Sequence, residues 1–153
     1  VFLDMLLDKL IDKNVMFKCD PNAFEIAQQN NKIDDNILQA EQTDWGKEFL
    51  GLTLAIKVVN SFDSAVSHIQ NFGSGHSECI ITSIPKNGEK FLREIDASVV
   101  FLNSSTRFND GSELGLGAEV AISTNKIHAR GPMGPDELTS YKWIVEGNGQ
   151  IRE

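Results

Sequence analysis

The opening part of the chain switches between helical and strand-like spacing of its apolar residues. The first segment predicts a helix that ends near Asn14, because leucines recur three and four residues apart at positions 3, 6, 7 and 10. Residues 15–19 form an apolar run typical of a short strand, and Asp20 with Pro21 ends it. Residues 22–30 then predict a weaker helix.

The strongest strand signal of the chain lies over residues 52–59. This run is nearly continuous and β-branched toward its end, which is typical of a strand covered on both faces. Ser61 can cap the helix that follows, and Gly73 can close it. Three further elements are predicted after short connections: a strand over 78–82, a helix over 86–95 and a strand over 97–102.

The regular alternation of these strands and helices indicates an α/β fold with a mainly parallel sheet and flanking helices. In the helix over 86–95 we expect Phe91, Leu92 and Ile95 to face inward. Ligands of parallel sheets bind beyond the carboxyl ends of the strands. The loop that follows Leu102 is therefore where we expect chemistry.

Residues 103–119 form that loop, which is rich in hydroxyl groups and glycines and contains one arginine, Arg107. Glycine-rich backbone and Ser or Thr hydroxyls suit an anion, and a guanidinium can clamp a carboxylate or a phosphate. The alternative is a surface loop in which the glycines occupy positions with positive φ and the arginine pairs with Asp110 or Glu113. The residues alone leave both interpretations open.

Charge and hydropathy exclude two classes of partner. The formal net charge is −8, from 22 acidic and 14 basic residues, whereas nucleic-acid binders need basic surfaces to neutralise phosphates. No apolar stretch approaches the roughly 20 residues of a membrane span. The apolar opening segment has no basic leader, so we do not expect a signal peptide.

The cysteines and histidines do not suggest a metal site. Cys19 and Cys79 lie far apart, each in a strand-like run, which predicts small core thiols in a cytoplasmic chain. The three histidines are too dispersed to form a ligand set. Near the end, Tyr141, Trp143 and Val145 alternate along a predicted strand, either as core or as an exposed pairing edge for another subunit.

Four segments in the second half of the chain resemble γ-glutamyl phosphate reductases in their C-terminal part, and shorter matches precede them. The segments are Ser105 to Phe108, Glu113 to Val120, Ile122 to Thr124 and His128 to Gly134. The upstream matches lie at 44–50, 57–59, 74–76 and 91–94. The resemblance covers essentially the whole chain.

The resemblance implies an aldehyde-dehydrogenase-like fold and a place for each part of the chain in it. Residues 1–103 would belong to the catalytic α/β domain, 104–134 to a substrate-facing loop region, and 135–153 to a C-terminal oligomerisation strand and tail. The implied activity is the NADPH-dependent reduction of γ-glutamyl phosphate to glutamate 5-semialdehyde and phosphate, the second step of proline biosynthesis. In this family a cysteine thiolate attacks the acyl phosphate. We expect that cysteine upstream of Val1 and therefore expect the chain alone to be inactive.

The resemblance also implies roles for individual residues. The substrate, γ-glutamyl phosphate, would contact the start of the loop: Asn103, Ser104, Ser105, Thr106, Arg107 and Phe108. Glu48 and Leu50 resemble the Glu-x-Phe-Gly-Pro element of aldehyde dehydrogenases, whose glutamate holds the ribose of the nicotinamide cofactor, here NADPH or NADP. From the residues alone, a solvated surface charge is the favoured interpretation of Glu48. Tyr141 to Val145 would pack on a neighbouring subunit of a homo-oligomer, and glutamate 5-kinase is a further candidate partner.

Two alternatives stay open at this point. The chain can belong to the reductase half of a bifunctional pyrroline-5-carboxylate synthase, which makes the same semialdehyde. It can also be a truncated, non-catalytic interaction module, which the missing cysteine segment favours.

Overall fold

The computed structural model describes residues 2–30, 32 and 35–153. The chain forms two compact units, Val1–Ser74 and Gly75–Glu153. Each unit has its own sheet and helices. The division by role at residues 103 and 134, expected from the resemblance, stays a prediction.

The first unit has a three-stranded parallel sheet with β1 in the middle. Its elements, in chain order, are α1 (Phe2–Ile11), β1 (Met16–Cys19), α2 (Pro21–Gln29), β2 (Ile37–Gln39), β3 (Thr53–Ile56) and α3 (Phe62–Phe72). The strand order is β2-β1-β3, and Phe17 is in register with Ile37 on one side and Leu54 on the other. The predicted order of elements and the parallel sheet are confirmed.

The hydrophobic core of this unit is built around β1. The side chains of Phe17 and Cys19 are fully inaccessible to solvent. They pack with a cluster of buried apolar residues: Leu7, Val15, Ala23, Ala27 and Ile37. The predicted core position of Cys19 is confirmed, and burial, with the nearby Asp20 carboxylate, raises the pKa of its thiol to about 11. This thiol therefore stays protonated at neutral pH and is a poor nucleophile.

Asp20 lies between β1 and α2 and has a buried carboxylate. Its Oδ1 accepts hydrogen bonds from the amide of Ala23 at 2.9 Å and from the amide of Val58 at 3.1 Å. Pro21 follows at the first helical position, where a missing amide costs nothing. One side chain thus caps a helix and holds the segment after β3.

The strand predicted over 52–59 is shorter than expected. The observed β3 has four residues, and Leu52 and Leu54 are exposed, so the strand is not covered on both faces. The amide of Asp20 still donates to the carbonyl of Ile56 at the end of the pairing with β1, but the next amide, that of Val58, donates to the Asp20 carboxylate. A side chain therefore replaces a strand partner.

The second unit combines a parallel pair of strands with an antiparallel pair. Its elements are β4 (Ser77–Ile80), α4 (Pro85–Glu94), β5 (Val99–Leu102), β6 (Ala121–Ser123) and β7 (Gly131–Met133). β4 and β5 are parallel and are joined through α4, as predicted. β6 and β7 are antiparallel, and this pair was not predicted from the sequence.

One prediction in this unit needs correction, and one stays open. Phe91 in α4 and Ile95 directly after it are buried, but Leu92 is 44% exposed, because one residue along a helix turns the side chain by about 100°. Residues 139–153 have no regular strand pairing within the chain. The strand predicted for Tyr141 to Val145 as a contact with a neighbouring subunit therefore stays a prediction. Tyr141, Trp143 and Val145 are 83%, 86% and 89% exposed, so they are not core.

Among the described residues, no helix combines the length and the apolar character that crossing a bilayer requires.

Candidate functional site

The loop predicted to carry chemistry begins at the carboxyl end of β5, at Asn103. Asn103 has a left-handed backbone, with φ of 54°, which asparagine tolerates better than most residues. Its side-chain amide pairs with the backbone of Thr82, accepting from the nitrogen at 2.7 Å and donating to the oxygen at 2.9 Å. The Asn103 amide is thus used to fasten the loop to the segment after β4.

The next residues continue this attachment. The thiol of Cys79, on β4, donates to the carbonyl of Ser104 at 2.9 Å. The hydroxyl of Ser105 accepts from the amide of Arg107 at 3.2 Å and caps a short 3₁₀ helix, Thr106–Phe108. Asn103 and Ser104 therefore attach the loop to the neighbouring segment through hydrogen bonds. The half-buried Cys79 thiol is the donor of one of these bonds.

Asn109 anchors the far end of the 3₁₀ helix. It is buried, and its side-chain nitrogen donates to the hydroxyl of Ser77 at 2.7 Å. The same hydroxyl lies 2.7 Å from Nδ1 of His76. Within the described part of the chain, Oδ1 of Asn109 has no hydrogen-bond partner. The loop is thus held to β4 at both ends of its first turn.

A tight turn follows at Asp110. Its Oδ1 accepts from the amide of Ser112 at 2.9 Å, from the Ser112 hydroxyl at 2.5 Å and from the amide of Glu113 at 3.3 Å. The hydrogen bond from the Ser112 hydroxyl, together with those from the two amides, holds the pKa of the Asp110 carboxyl below its usual range. Asp110 is therefore a carboxylate at neutral pH.

Gly111 fits the loop where no larger residue can. Its amide donates to Oε2 of Glu119 at 2.7 Å. A Cβ at Gly111 would lie 2.7 Å from the Glu119 Cβ and 2.9 Å from the Ala118 carbonyl oxygen. The loop thus folds back on itself with a glycine at the closest approach.

These turns enclose an open cleft of about 350 Å³. Its lining combines one cation, two carboxylates, two hydroxyls and one aromatic ring: Arg107, Asp110, Glu113, Ser105, Ser112 and Phe108. Of the six substrate residues expected from the resemblance, Ser105, Arg107 and Phe108 line the cleft. Thr106 lies in the 3₁₀ helix but is not part of the lining.

Asp110, Ser112 and Glu113 line the cleft but were not predicted from the sequence as lining residues. An Asp followed two residues later by Ser is a turn signal, because a short carboxylate accepts from nearby amides. That signal predicts a turn at Asp110, but it does not say which side of the turn faces a cleft.

Arg107 is not neutralised by a neighbouring carboxylate. Across the residues that the structure describes, its guanidinium has no ion pair, although Asp110 and Glu113 line the same cleft. The alternative of an arginine paired with one of these residues is therefore not observed. An exposed guanidinium in a cleft remains available to an anionic ligand.

Glu48 and Leu50 belong to the first unit, in the irregular segment between a short 3₁₀ helix, Gln42–Asp44, and β3. Glu48 is exposed, and Leu50 is exposed with a left-handed φ of 53°. An exposed carboxylate can accept hydrogen bonds from ribose hydroxyls, so Glu48 fits the chemistry of a nicotinamide ribose. Within the described residues, no group of three His, Cys, Asp or Glu side chains is placed to hold a metal ion.

The relatives found by sequence and the neighbours found by structure carry the same name. No family model matches the chain. The chain is 50% identical over 151 residues to a gamma-glutamyl phosphate reductase of Clostridium botulinum and 52% identical over 151 residues to one of Dehalococcoides mccartyi. Each match covers 99% of this chain and 35% of the relative.

Two solved structures are similar as well. The gamma-glutamyl phosphate reductase of Thermotoga maritima matches 99% of this chain with a TM-score of 0.90 and 42% identity, over 35% of its own length. The Saccharomyces cerevisiae enzyme of the same name matches 74% of this chain with a TM-score of 0.56 and 28% identity, over 28% of its own length. The chain thus spans about one third of the curated relatives it matches. The resemblance inferred from the sequence is confirmed: over almost its whole length, the chain is related to a segment of γ-glutamyl phosphate reductase.

Proposed function

We propose that the chain is the substrate-loop part of an enzyme that reduces γ-glutamyl phosphate to glutamate 5-semialdehyde. The reaction consumes one NADPH and one proton and releases NADP and phosphate. The observation that carries the proposal is the cleft after β5, whose unpaired Arg107 lies beside two hydroxyls. The similarity of the whole chain to reductases supports the same activity.

The nicotinamide cofactor supplies the hydride, and Glu48 is the residue of this chain that suits its ribose. The Glu48 side chain is exposed, so its carboxylate is open to hydroxyl donors. Leu50 supports this role through its backbone, because its left-handed φ turns the chain two residues after Glu48. The choice of NADPH over NADH is part of the proposal.

The nucleophile of the proposed reaction lies outside this chain. Cys19 is fully buried, and burial raises the pKa of its thiol; the Cys79 thiol donates a hydrogen bond to the Ser104 carbonyl. A nucleophilic thiol has to be accessible to its substrate, whereas Cys19 is buried and Cys79 is half-buried and bonded to the loop after β5. We therefore assign no catalytic residue to the chain itself and propose that it supplies binding groups only.

The remaining parts of the proposal concern assembly and location. The exposed Tyr141, Trp143 and Val145 suit a strand that pairs with a neighbouring subunit of a homo-oligomer in the cytoplasm. Glutamate 5-kinase is a candidate partner, because it makes the acyl phosphate that the reductase consumes.

An assay of the complete product of the gene tests this proposal. Its intact mass is determined first, and the reverse reaction is then followed as phosphate-dependent reduction of NADP with glutamate 5-semialdehyde. We expect turnover that requires phosphate and a mass well above the 16.9 kDa of this chain. Absence of turnover from the folded protein would overturn the proposed activity. Turnover at 16.9 kDa would overturn the assignment of the nucleophile to another segment.

A further inference from the structure

The charges that line the cleft are unbalanced toward the negative. Arg107 contributes one positive charge, and Asp110 and Glu113 contribute two negative charges. No second cation lines the cleft among the described residues. A ligand that satisfies all three groups must itself carry a carboxylate-like anion and a cation.

A phosphoryl group is a poor match for this lining. It carries close to two negative charges at neutral pH, and its sites in proteins are built from several cations or from converging backbone amides. Carboxylates in the same cleft would repel it, and this repulsion is strong at short range. Arg107 alone would have to overcome both Asp110 and Glu113.

The head of an α-amino acid matches the same lining well. Its carboxylate suits the bidentate donor geometry of a guanidinium. Its ammonium group suits carboxylate acceptors, and γ-glutamyl phosphate carries both groups at the end opposite its phosphoryl group. The charge pattern of the ligand thus mirrors that of the cleft.

Hydrogen bonds within the loop hold the Asp110 carboxylate in place. Oδ1 of Asp110 takes all three hydrogen bonds of the turn, and Oδ2 takes none of them. The turn is closed by the amide of Leu114, which donates to the Asp110 carbonyl at 2.9 Å, and is tied at Gly111 to Glu119. Glu113 is exposed on this turn and, within the described chain, has no cationic partner.

We infer that the cleft recognises the α-amino-acid end of the substrate: Arg107 binds the α-carboxylate, and Asp110 with Glu113 binds the α-ammonium. This inference rests on the proposed function and deepens it. The phosphoryl end then lies away from the cleft. The loop selects amino-acid substrates over simple acyl phosphates and aldehydes of the same length.

The reverse reaction tests the inference, because its two substrates separate the two ends. Glutamate 5-semialdehyde carries the amino-acid head, and inorganic phosphate is added independently. In the complete gene product, Arg107→Gln is expected to raise the KM for the semialdehyde about tenfold or more, since a charged hydrogen-bonded pair is lost. The KM for phosphate is expected to change less than about twofold.

The ammonium contact is tested with a substrate that lacks it. 5-Oxopentanoate keeps the carboxylate and the aldehyde but has no amino group. The wild type should prefer the semialdehyde over this analogue by about tenfold or more in kcat/KM, and Glu113→Gln and Asp110→Asn should each reduce that preference several-fold. Glu89→Gln, an exposed change on α4 outside the cleft, is the matched control and should leave the preference unchanged.

The outcomes separate this inference from the function on which it rests. If the wild type shows no phosphate-dependent turnover, the proposed function fails and the assignment fails with it. If the wild type turns over and Arg107→Gln raises the KM for phosphate rather than for the semialdehyde, Arg107 binds the phosphoryl end and only the assignment is overturned. An unchanged amino-group preference in both carboxylate variants would likewise overturn it.

Discussion

The sheet of the first unit and the loop after β5 are ordered by different forces. The sheet is held by burial: Phe17 and Cys19 are inaccessible to solvent, and apolar neighbours surround them. The loop buries few side chains and is held by hydrogen bonds between nearby groups and the side chains of Asn103, Asn109 and Asp110. One region is fixed by shape and apolar area, and the other by polar geometry.

This difference determines which of the two regions can expose side chains that bind a ligand. A core position must be apolar and closely packed, so it has no side chain free for a ligand. In the loop, the polar side chains of other residues stabilise the backbone, and Arg107 and Glu113 line the cleft. Mutations should therefore act on stability in the first region and on binding or local order in the second.

The largest contrast is expected between two phenylalanines. Phe17→Ala removes a ring that is 0% exposed and should lower the free energy of unfolding by about 3–5 kcal/mol. Phe108→Ala removes a ring that is 51% exposed and should cost less than about 1 kcal/mol. Urea unfolding of both variants measures the contrast. Equal losses would contradict the view that burial orders only the first region.

The Asp20 carboxylate should give the next largest effect. Asp20→Ala leaves the amides of Ala23 and Val58 without their acceptor and should destabilise the protein by about 2 kcal/mol. Ser61→Ala removes the corresponding cap of α3, which is exposed, and should cost about 1 kcal/mol. Thermal unfolding of the two variants compares them. A smaller loss at Asp20 than at Ser61 would refute the double role of Asp20.

Asn103 tests the polar attachment of the loop. Asn103→Gly keeps the left-handed backbone and loses the two bonds to Thr82, whereas Asn103→Ala also strains the backbone by about 1 kcal/mol. We expect faster hydrogen exchange at the Thr82 amide in both variants, by about tenfold, and lower stability in Asn103→Ala. Unchanged exchange in both would show that the loop does not depend on this side chain.

The smallest effect is expected from pH. Asp96 accepts from Lys126 and from Arg130, the latter at 2.7 Å, and these contacts lower the pKa of its carboxyl. Since the folded-state pKa is depressed, the stabilisation is present above the unfolded-state pKa and is lost as pH falls below about 4. Comparing wild type and Asp96→Asn by unfolding at several pH values measures it. Their stabilities should converge at acid pH; a constant gap would contradict the ion pairs as its source.

Much of the fold was predictable because each element is encoded locally. The leucine spacing predicted α1. The predicted caps Ser61 and Gly73 directly flank the observed α3, Phe62–Phe72. The alternation of strands and helices predicted the parallel pairing of β4 with β5. These signals need no knowledge of distant contacts.

The misses depend on distant contacts. β3 ends early because Asp20, 38 residues before Val58, takes the Val58 amide. The pairing of β6 with β7 joins short segments whose residues, such as Gly131 and Pro132, have low strand propensity. The sequence also did not reveal all the residues that line the cleft. Arg107 was expected to bind substrate, but Asp110 and Glu113 line the cleft because of the turn that Asp110 forms.

The measurement that tests the central claim most directly compares two arginines in the complete gene product. Arg107→Gln changes the cleft, and Arg93→Gln changes an exposed arginine in the last turn of α4. In the phosphate-dependent reverse reaction, Arg107→Gln should lower kcat/KM about tenfold or more, and Arg93→Gln should leave it within about twofold of the wild type. Equal kcat/KM in the two variants would contradict the assignment of the loop after β5 as the substrate site.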